Sequence, residues 1–266
     1  MTDLSYCGEL VRKHDPDRFL LAMFEPADKR EALFSLYAFN YEIAKTRETV
    51  TETQLGLIRL QWWRDALGGY YERGNVLKHH VVEPLCDAIR TYNLPRELFD
   101  NLVYAREFDL EDRLPANLDG MVKYATYTNA PLLQLAMKVL GEPASEADID
   151  AAAAAYGLTG LLRAVTTHLR QHRCYLPEDL IYKNEMSLDD LYVNSVIEKL
   201  PPVVGAVVHE AQRQADKVSA EAPKSLRRLV KLARMYQSQI THVRGDLIAP
   251  ALGVPPLLRE LRLMWV

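Results

Sequence analysis

With 266 residues, 48% of them hydrophobic, and only 12 Gly and 14 Pro, the chain has the composition of a globular protein and not of a disordered one. A formal net charge of −4 argues against non-specific nucleic-acid binding, so no nucleic-acid partner is expected. The length lies near the upper limit of one hydrophobic core, and without an internal repeat or a linker the expectation is a single domain over 1–266.

Almost every segment has the helical period and none alternates like a half-buried strand, which predicts an all-α fold. Asp15-Pro16-Asp17 starts a helix that Glu25-Pro26 ends. A second runs from Asp28 to about Glu48 with a stripe of Leu33, Leu36, Tyr37, Phe39 or Asn40, and Ile43 or Ala44. Thr51 to Gln54 has the form of a capping box and opens a third helix. Leu55, Ile58, Trp62 and Ala66 lie along one face of it, widened by Leu60, Trp63 and Leu67, and so apolar a helix is expected to be central.

Helices are further predicted over Val81 to Tyr92 and from Pro95 to about Glu111, where Asp109, Glu111 and Asp112 read as a solvated acidic face. Leu118 to Leu140 is long and apolar, with a kink expected at Pro131. Ser145 followed by Asp148 caps the next helix, whose Ala151 to Ala155 run lets neighbours approach closely before the chain reaches Tyr175-Leu176-Pro177. A short helix capped by Ser187 follows. Val193 to Ala220 is predicted helical but interrupted by Pro201-Pro202, and another helix covers Pro223 to about Arg244.

Cys7, Cys86 and Cys174 are odd in number, far apart and without metal-ligand spacing, which predicts reduced thiols. The N-terminus lacks the apolar core of a signal peptide and the Arg/Ser richness of a transit peptide, so a cytoplasmic location is expected. From Pro223 to Val266 there are eight basic and two acidic residues, a local +6, so residues 1–222 carry −10. Lys224, Arg227, Arg228, Lys231 and Arg234 recur at three- and four-residue steps, which suits either an anionic membrane surface or an ordinary solvated helix. In the first reading Arg259, Arg262 and Trp265 add a second contact.

Three motif groups occur in order. Arg30 precedes Leu36-Tyr37-Ala38-Phe39, Asp109 precedes Leu118 to Tyr124, and Arg163 precedes Tyr175-Leu176-Pro177. On these, from about Tyr6 to Leu180, the chain resembles the squalene/phytoene synthase family of head-to-head prenyltransferases. The resemblance implies an all-α, isoprenoid synthase-type helical bundle with a central cavity. In that family two aspartate-rich helices hold Mg²⁺ against a prenyl diphosphate, because an anionic leaving group departs only when hard cations neutralise it.

The first family helix follows Tyr-Ala-Phe with Arg and then Asp-Asp-x-x-Asp. Here Tyr41 stands at the Arg position, and Ala44, Lys45 and Glu48 replace the aspartates. The second reads Asn-x-x-Arg-Asp-x-x-Glu-Asp. Alignment on Arg163 and Tyr175-Leu176-Pro177 puts Gly160, Ala164, Thr167 and His168 at its Asn, Asp, Glu and Asp positions. One carboxylate remains, so the resemblance implies a degenerate metal site, no catalytic residue, no bound metal and no cofactor.

If the helices pack as in the family, Lys45, Arg163 and His168 converge with Glu42, Glu48, Tyr127 and Asn129 near. Such a pocket either binds an anion or is closed by pairing Arg163 with Glu42 or Glu48. Phe39-Asn40, Glu42-Ile43-Ala44, Gly56 to Trp63 and Leu162 to His168 look like the catalytically degenerate members, which include the mitochondrial assembly factor for respiratory complex I. That branch implies partners among complex I subunits or assembly intermediates, and a peripheral place on the inner face of a bacterial membrane. Two alternatives stay open: an active Mg²⁺-dependent prenyltransferase, and a lipid or quinone binding protein that holds a prenyl lipid without chemistry.

Overall fold

A computed structural model describes residues 4–50, 52–111, 113–193 and 197–266. Among the described residues there are α-helices and short 3₁₀ turns and no strand, as expected of an all-α fold. The chain divides into two compact units. Met1–Glu111 with Pro131–Ala144 forms one, and Asp112–Ala130 with Ser145–Val266 forms the other.

The first unit contains α1 (Tyr6–His14), α2 (Pro16–Met23), α3 (Ala27–Ala44), α4 (Thr46–Thr49), α5 (Thr53–Arg73), α6 (Val82–Tyr92) and α7 (Arg96–Ala105). α1, absent from the sequence reading, is capped by Ser5, whose hydroxyl accepts from the Gly8 N–H at 3.0 Å. Asp15 caps α2 in the same way and Pro16 occupies its first turn, where a missing N–H costs nothing.

α3 is buried on every side from Ala32 to Asn40, and α1 and α6 pack against it. It, and not α5, is the central helix of this unit. α5 buries Leu60, Trp63, Ala66 and Leu67, but Leu55, Ile58 and Trp62 are exposed. Trp63, Phe39 and Phe99 form an edge-to-face cluster with Phe39 at 5.3 Å from Trp63 and 5.5 Å from Phe99.

Thr51 of the expected capping box lies outside the described residues, and Glu52 is the N-cap of α5. α7 ends at Ala105, short of the expected Glu111, and a 3₁₀ turn over Phe108–Leu110 follows. Asp109 is buried and faces Arg106 at 3.5 Å, so the acidic segment is not a uniformly solvated face. Asp112 lies outside the described residues.

α8 (Leu118–Leu140) keeps its predicted limits and carries Pro131 inside it; Pro131 is also where the chain passes from the second unit to the first.

The second unit holds the first half of α8, then α9 (Glu146–Arg170), α10 (Glu178–Lys183), α11 (Leu188–Tyr192), α12 (Pro201–Asp216), α13 (Lys224–His242) and α14 (Arg259–Met264). Ser145 caps α9 by accepting from the Asp148 N–H at 3.1 Å, and the Asp148 carboxylate accepts from the Ser219 N–H at 2.7 Å. Ala151 to Ala155 are all buried, and α12 and α13 pack against α9. Buried Thr159 accepts from Gln237 Nε2 at 3.0 Å and donates to the Ala155 carbonyl.

Ser187 and Asp190 form a capping box on α11. Pro201-Pro202 begins α12 instead of interrupting a longer helix, since the first turn needs no internal N–H. The expected helical stretch upstream includes residues 194–196, which lie outside the described residues.

Candidate functional site

In the first unit the residues that motif alignment sets at the family's metal positions fall at the junction of α3 and α4. Ala44 is the last residue of α3 and is half-buried, and Lys45 separates the two helices. The Lys45 ammonium lies 2.5 Å from Glu42 Oε1 and 4.9 Å from the Tyr41 ring centroid. The other Glu42 oxygen faces Arg59 of α5 at 3.4 Å. Glu42 is buried, so two cations compensate a carboxylate withdrawn from water. Glu48 is exposed on α4. Sequence reasoning missed Arg59, although it is the only cation in the apolar run Gly56 to Trp63.

In the second unit Gly160, Ala164 and Thr167 follow one another on a face of α9. A Cβ built at Gly160 meets nothing within 4 Å, Ala164 is half-buried and Thr167 is exposed. His168 is half-buried with its ring edge-on to Tyr175 at 4.8 Å, and Tyr175 stacks on Tyr124 at 5.3 Å. Burial first, and the nearby Arg173 cation second, push the His168 pKa down to about 4, which leaves a neutral imidazole near pH 7.

The Arg163 guanidinium carbon lies 3.5 Å from the centroid of the Tyr236 ring. Tyr236 is buried on α13 and was also missed, because nothing local marks a partner on a distant helix. Tyr127 is exposed on α8, and Asn129 Nδ2 donates to Ala125 O at 2.9 Å and Thr128 Oγ1 at 3.1 Å.

At the positions that motif alignment gives as ligands, the first unit thus offers one carboxylate, one ammonium and a methyl group, and the second one hydroxyl, one neutral imidazole, a methyl group and a glycine. Mg²⁺ demands hard oxygen donors in near-octahedral array, and neither of the two sets by itself fits it. Among the described residues no group of three or more His, Cys, Asp or Glu is placed to hold a metal ion.

The basic stripe on α13 is only partly a surface. Lys224 is exposed, but Arg228 is buried, so the expected membrane-facing row is broken. Arg227 donates to Ala222 O at 2.9 Å, Lys231 to Trp265 O at 2.7 Å, and Arg234 pairs with Asp216 at 2.7 Å. Among the described residues no helix is long and apolar enough to cross a membrane.

Comparison with known proteins follows the same lines. The chain is 32% identical over 208 residues to NADH dehydrogenase (ubiquinone) complex I, assembly factor 6, of Bos taurus; the match covers 77% of this chain and spans 62% of that protein's length. It is 26% identical over 238 residues to presqualene diphosphate synthase of Rhodopseudomonas palustris, covering 86% of this chain and 82% of that protein. In fold it is similar to squalene synthase HpnC from Alicyclobacillus acidocaldarius, with a TM-score of 0.76 at 21% identity over 90% of this chain and 93% of that one. The squalene/phytoene synthase family model matches residues 11–262, well past the Leu180 limit of the sequence motifs. With the helical architecture and the matched length agreeing, the chain belongs to the squalene/phytoene synthase family.

Proposed function

We propose that this protein has left prenyl transfer and assists the assembly of respiratory complex I beside the membrane in which that complex is built. The observation that carries the reading is the donor set at the metal positions. Lys45 stands where a ligand is needed and is held by Glu42, and Glu48 is the one carboxylate among the seven positions. Without Mg²⁺ on the diphosphate the leaving group is not neutralised, so the family's reaction has no electrophilic assistance. The relationship to an assembly factor supports the positive half of the reading. It makes subunits or intermediates of complex I the partners and requires neither a metal nor an organic cofactor.

The test is deletion of the gene in its host, followed by NADH:quinone oxidoreductase activity and native electrophoresis of the membranes. The expected result is loss of assembled complex I with other respiratory complexes retained. Rescue should be as good with Glu48→Ala and His168→Ala as with the unaltered gene. Intact complex I in the deletion strain, or Mg²⁺-dependent consumption of farnesyl diphosphate by the purified protein, overturns the proposal.

A second reading, a carrier for a prenyl lipid or quinone, is favoured by α5. Its Leu55, Ile58 and Trp62 form an exposed apolar row suited to an isoprenoid chain. Stoichiometric isoprenoid in an organic extract of the purified protein, lost in Ile58→Asp, supports it. An extract free of such lipid removes it.

A further inference from the structure

Within the second unit, α12 and the end of α13 enclose a cleft of about 300 Å³ that opens to solvent on one side. Its floor is apolar, with Val204, Val208 and Ile240 all buried. Gly205 keeps the α12 wall low, since a Cβ there would meet nothing within 4 Å. One end is fixed by close packing: Gly245, at φ +78°, approaches α12 so nearly that a Cβ would stand 3.1 Å from Pro201 Cα.

The polar groups of this cleft differ from their neighbours on the same helices. On α12, Arg213 and Gln214 both bind Glu210, and Lys217 binds Gln214; on α13, Arg234 binds Asp216 and Gln237 binds Thr159. The side chains of His209, Gln212 and Arg244 line the cleft and, among the described residues, are bound to no other protein group. No carboxylate lines the cleft, so the Arg244 guanidinium stands there without a countercharge. Arg244 also holds a place that its backbone disfavours. It is the left-handed residue, φ 53°, of a Schellman turn in which its N–H bonds to Thr241 O at 2.9 Å and the Gly245 N–H to Ile240 O at 3.0 Å. Glycine is the ordinary residue at that point, so the turn itself does not call for a guanidinium.

We propose that this cleft binds a small organic carboxylate, with the carboxylate on the Arg244 fork, His209 and Gln212 beside it, and the carbon body on Val204, Val208 and Ile240. A guanidinium matches a carboxylate with two parallel N–H···O bonds, and a single cation balances one negative charge better than the two of a phosphate. The volume suits about ten non-hydrogen atoms at ~30 Å³ for each water-sized group. The inference rests on this cleft alone and stands whether or not the protein assists complex I.

The experiment is titration of the full chain with phenylacetate, with its uncharged isostere phenylacetamide and with inorganic phosphate, followed by saturation-transfer NMR. Phenylacetate is expected to bind with a Kd on the order of 1 mM and the amide at least about tenfold more weakly, with phosphate unable to displace the carboxylate. Arg244→Gly removes the cation and Gly205→Leu fills the cleft, and each should raise the Kd about tenfold or more. Neither should harm the fold, because the first relieves a left-handed arginine and the second puts a better helix former into open space, so thermal midpoints should be unchanged or raised. Absence of phenylacetate binding overturns the proposal, as does equal binding of acid and amide. Binding that survives either substitution places the ligand elsewhere and overturns it too, and displacement by phosphate would assign the cleft to a bare anion instead.

Discussion

Gly157 and Gly160 lie one turn apart on α9, and the same substitution should move stability in opposite directions at the two. A Cβ at Gly157 would stand 2.8 Å from Asn129 Nδ2, 2.9 Å from Ala125 Cβ and 3.0 Å from Ala125 O. Two of these belong to the backbone or first carbon of α8 and cannot swing away, and moving Asn129 would disturb its 2.9 Å bond to Ala125 O. Alanine in a helix gains about 1 kcal/mol over glycine. Overpacking of about 1–3 kcal/mol and the loss of a hydrogen bond of about 1 kcal/mol outweigh that gain. Gly157→Ala should therefore destabilise by about 1–3 kcal/mol. At Gly160 nothing stands within 4 Å, so Gly160→Ala keeps the gain and should stabilise by about 1 kcal/mol. Urea unfolding followed by far-UV circular dichroism, run on the two variants in parallel, reads the difference of about 2–4 kcal/mol. Shifts of the same sign and similar size would refute the claim that α8 and α9 close on each other at Gly157.

Three further predictions follow from titratable groups. His168 has a folded pKa of about 4 against an ordinary 6.5, so the unfolded chain binds more protons between those values. Stability should fall by up to about 3 kcal/mol as pH drops from 7 to 4, and His168→Gln should flatten that slope in urea midpoints taken across the range. Burial pushes Cys7 up to about 12, and Cys86 and Cys174 up to about 11, so thiol titration at pH 8 should leave all three slow in the native protein and rapid in denaturant. Lys45→Asp takes one cation from buried Glu42 and adds a like charge, and should destabilise by about 2–4 kcal/mol, more than Lys45→Met does. Equal midpoints for these two variants in urea would show that no like-charge contact arises.

The sequence was most readable where structure is decided locally. Ser145 and Ser187 cap their helices, Asp15-Pro16 starts one, and α8 keeps the predicted Leu118 and Leu140 ends, because caps and prolines act within a turn. It was least readable where two apolar rows compete. On α5, Leu55, Ile58 and Trp62 have the same period as Leu60, Trp63 and Leu67, and periodicity does not say which row meets the core. Arg228 shows the same limit with charge: one residue past Arg227 it turns about 100° around the helix and is buried, though both read as one stripe. At the site, motif order assigns Glu42 and Arg163 to α3 and α9, where the structure has them. The partners of these two residues, Arg59 on Glu42 and Tyr236 beneath Arg163, come from other helices and carry no local signal.

A buried carboxylate is tolerated only with cations against it, and Glu42 takes both of its cations from the chain, Lys45 at 2.5 Å and Arg59 at 3.4 Å. No added ion is needed for its charge balance. An aspartate at position 45, where motif alignment sets a family ligand, would remove one of these cations and place two carboxylates face to face. A single restored ligand still does not supply the oxygen set that Mg²⁺ requires, so it would add the repulsion without the ion that relieves it. On α9 the obstacle differs: Gly160 and Ala164 bring no donor, and His168 is packed as a neutral ring beside Tyr175. Within the first unit a lone Lys45→Asp is therefore penalised by the buried charge of Glu42, and within the second a ligand at position 168 is penalised by the displaced ring.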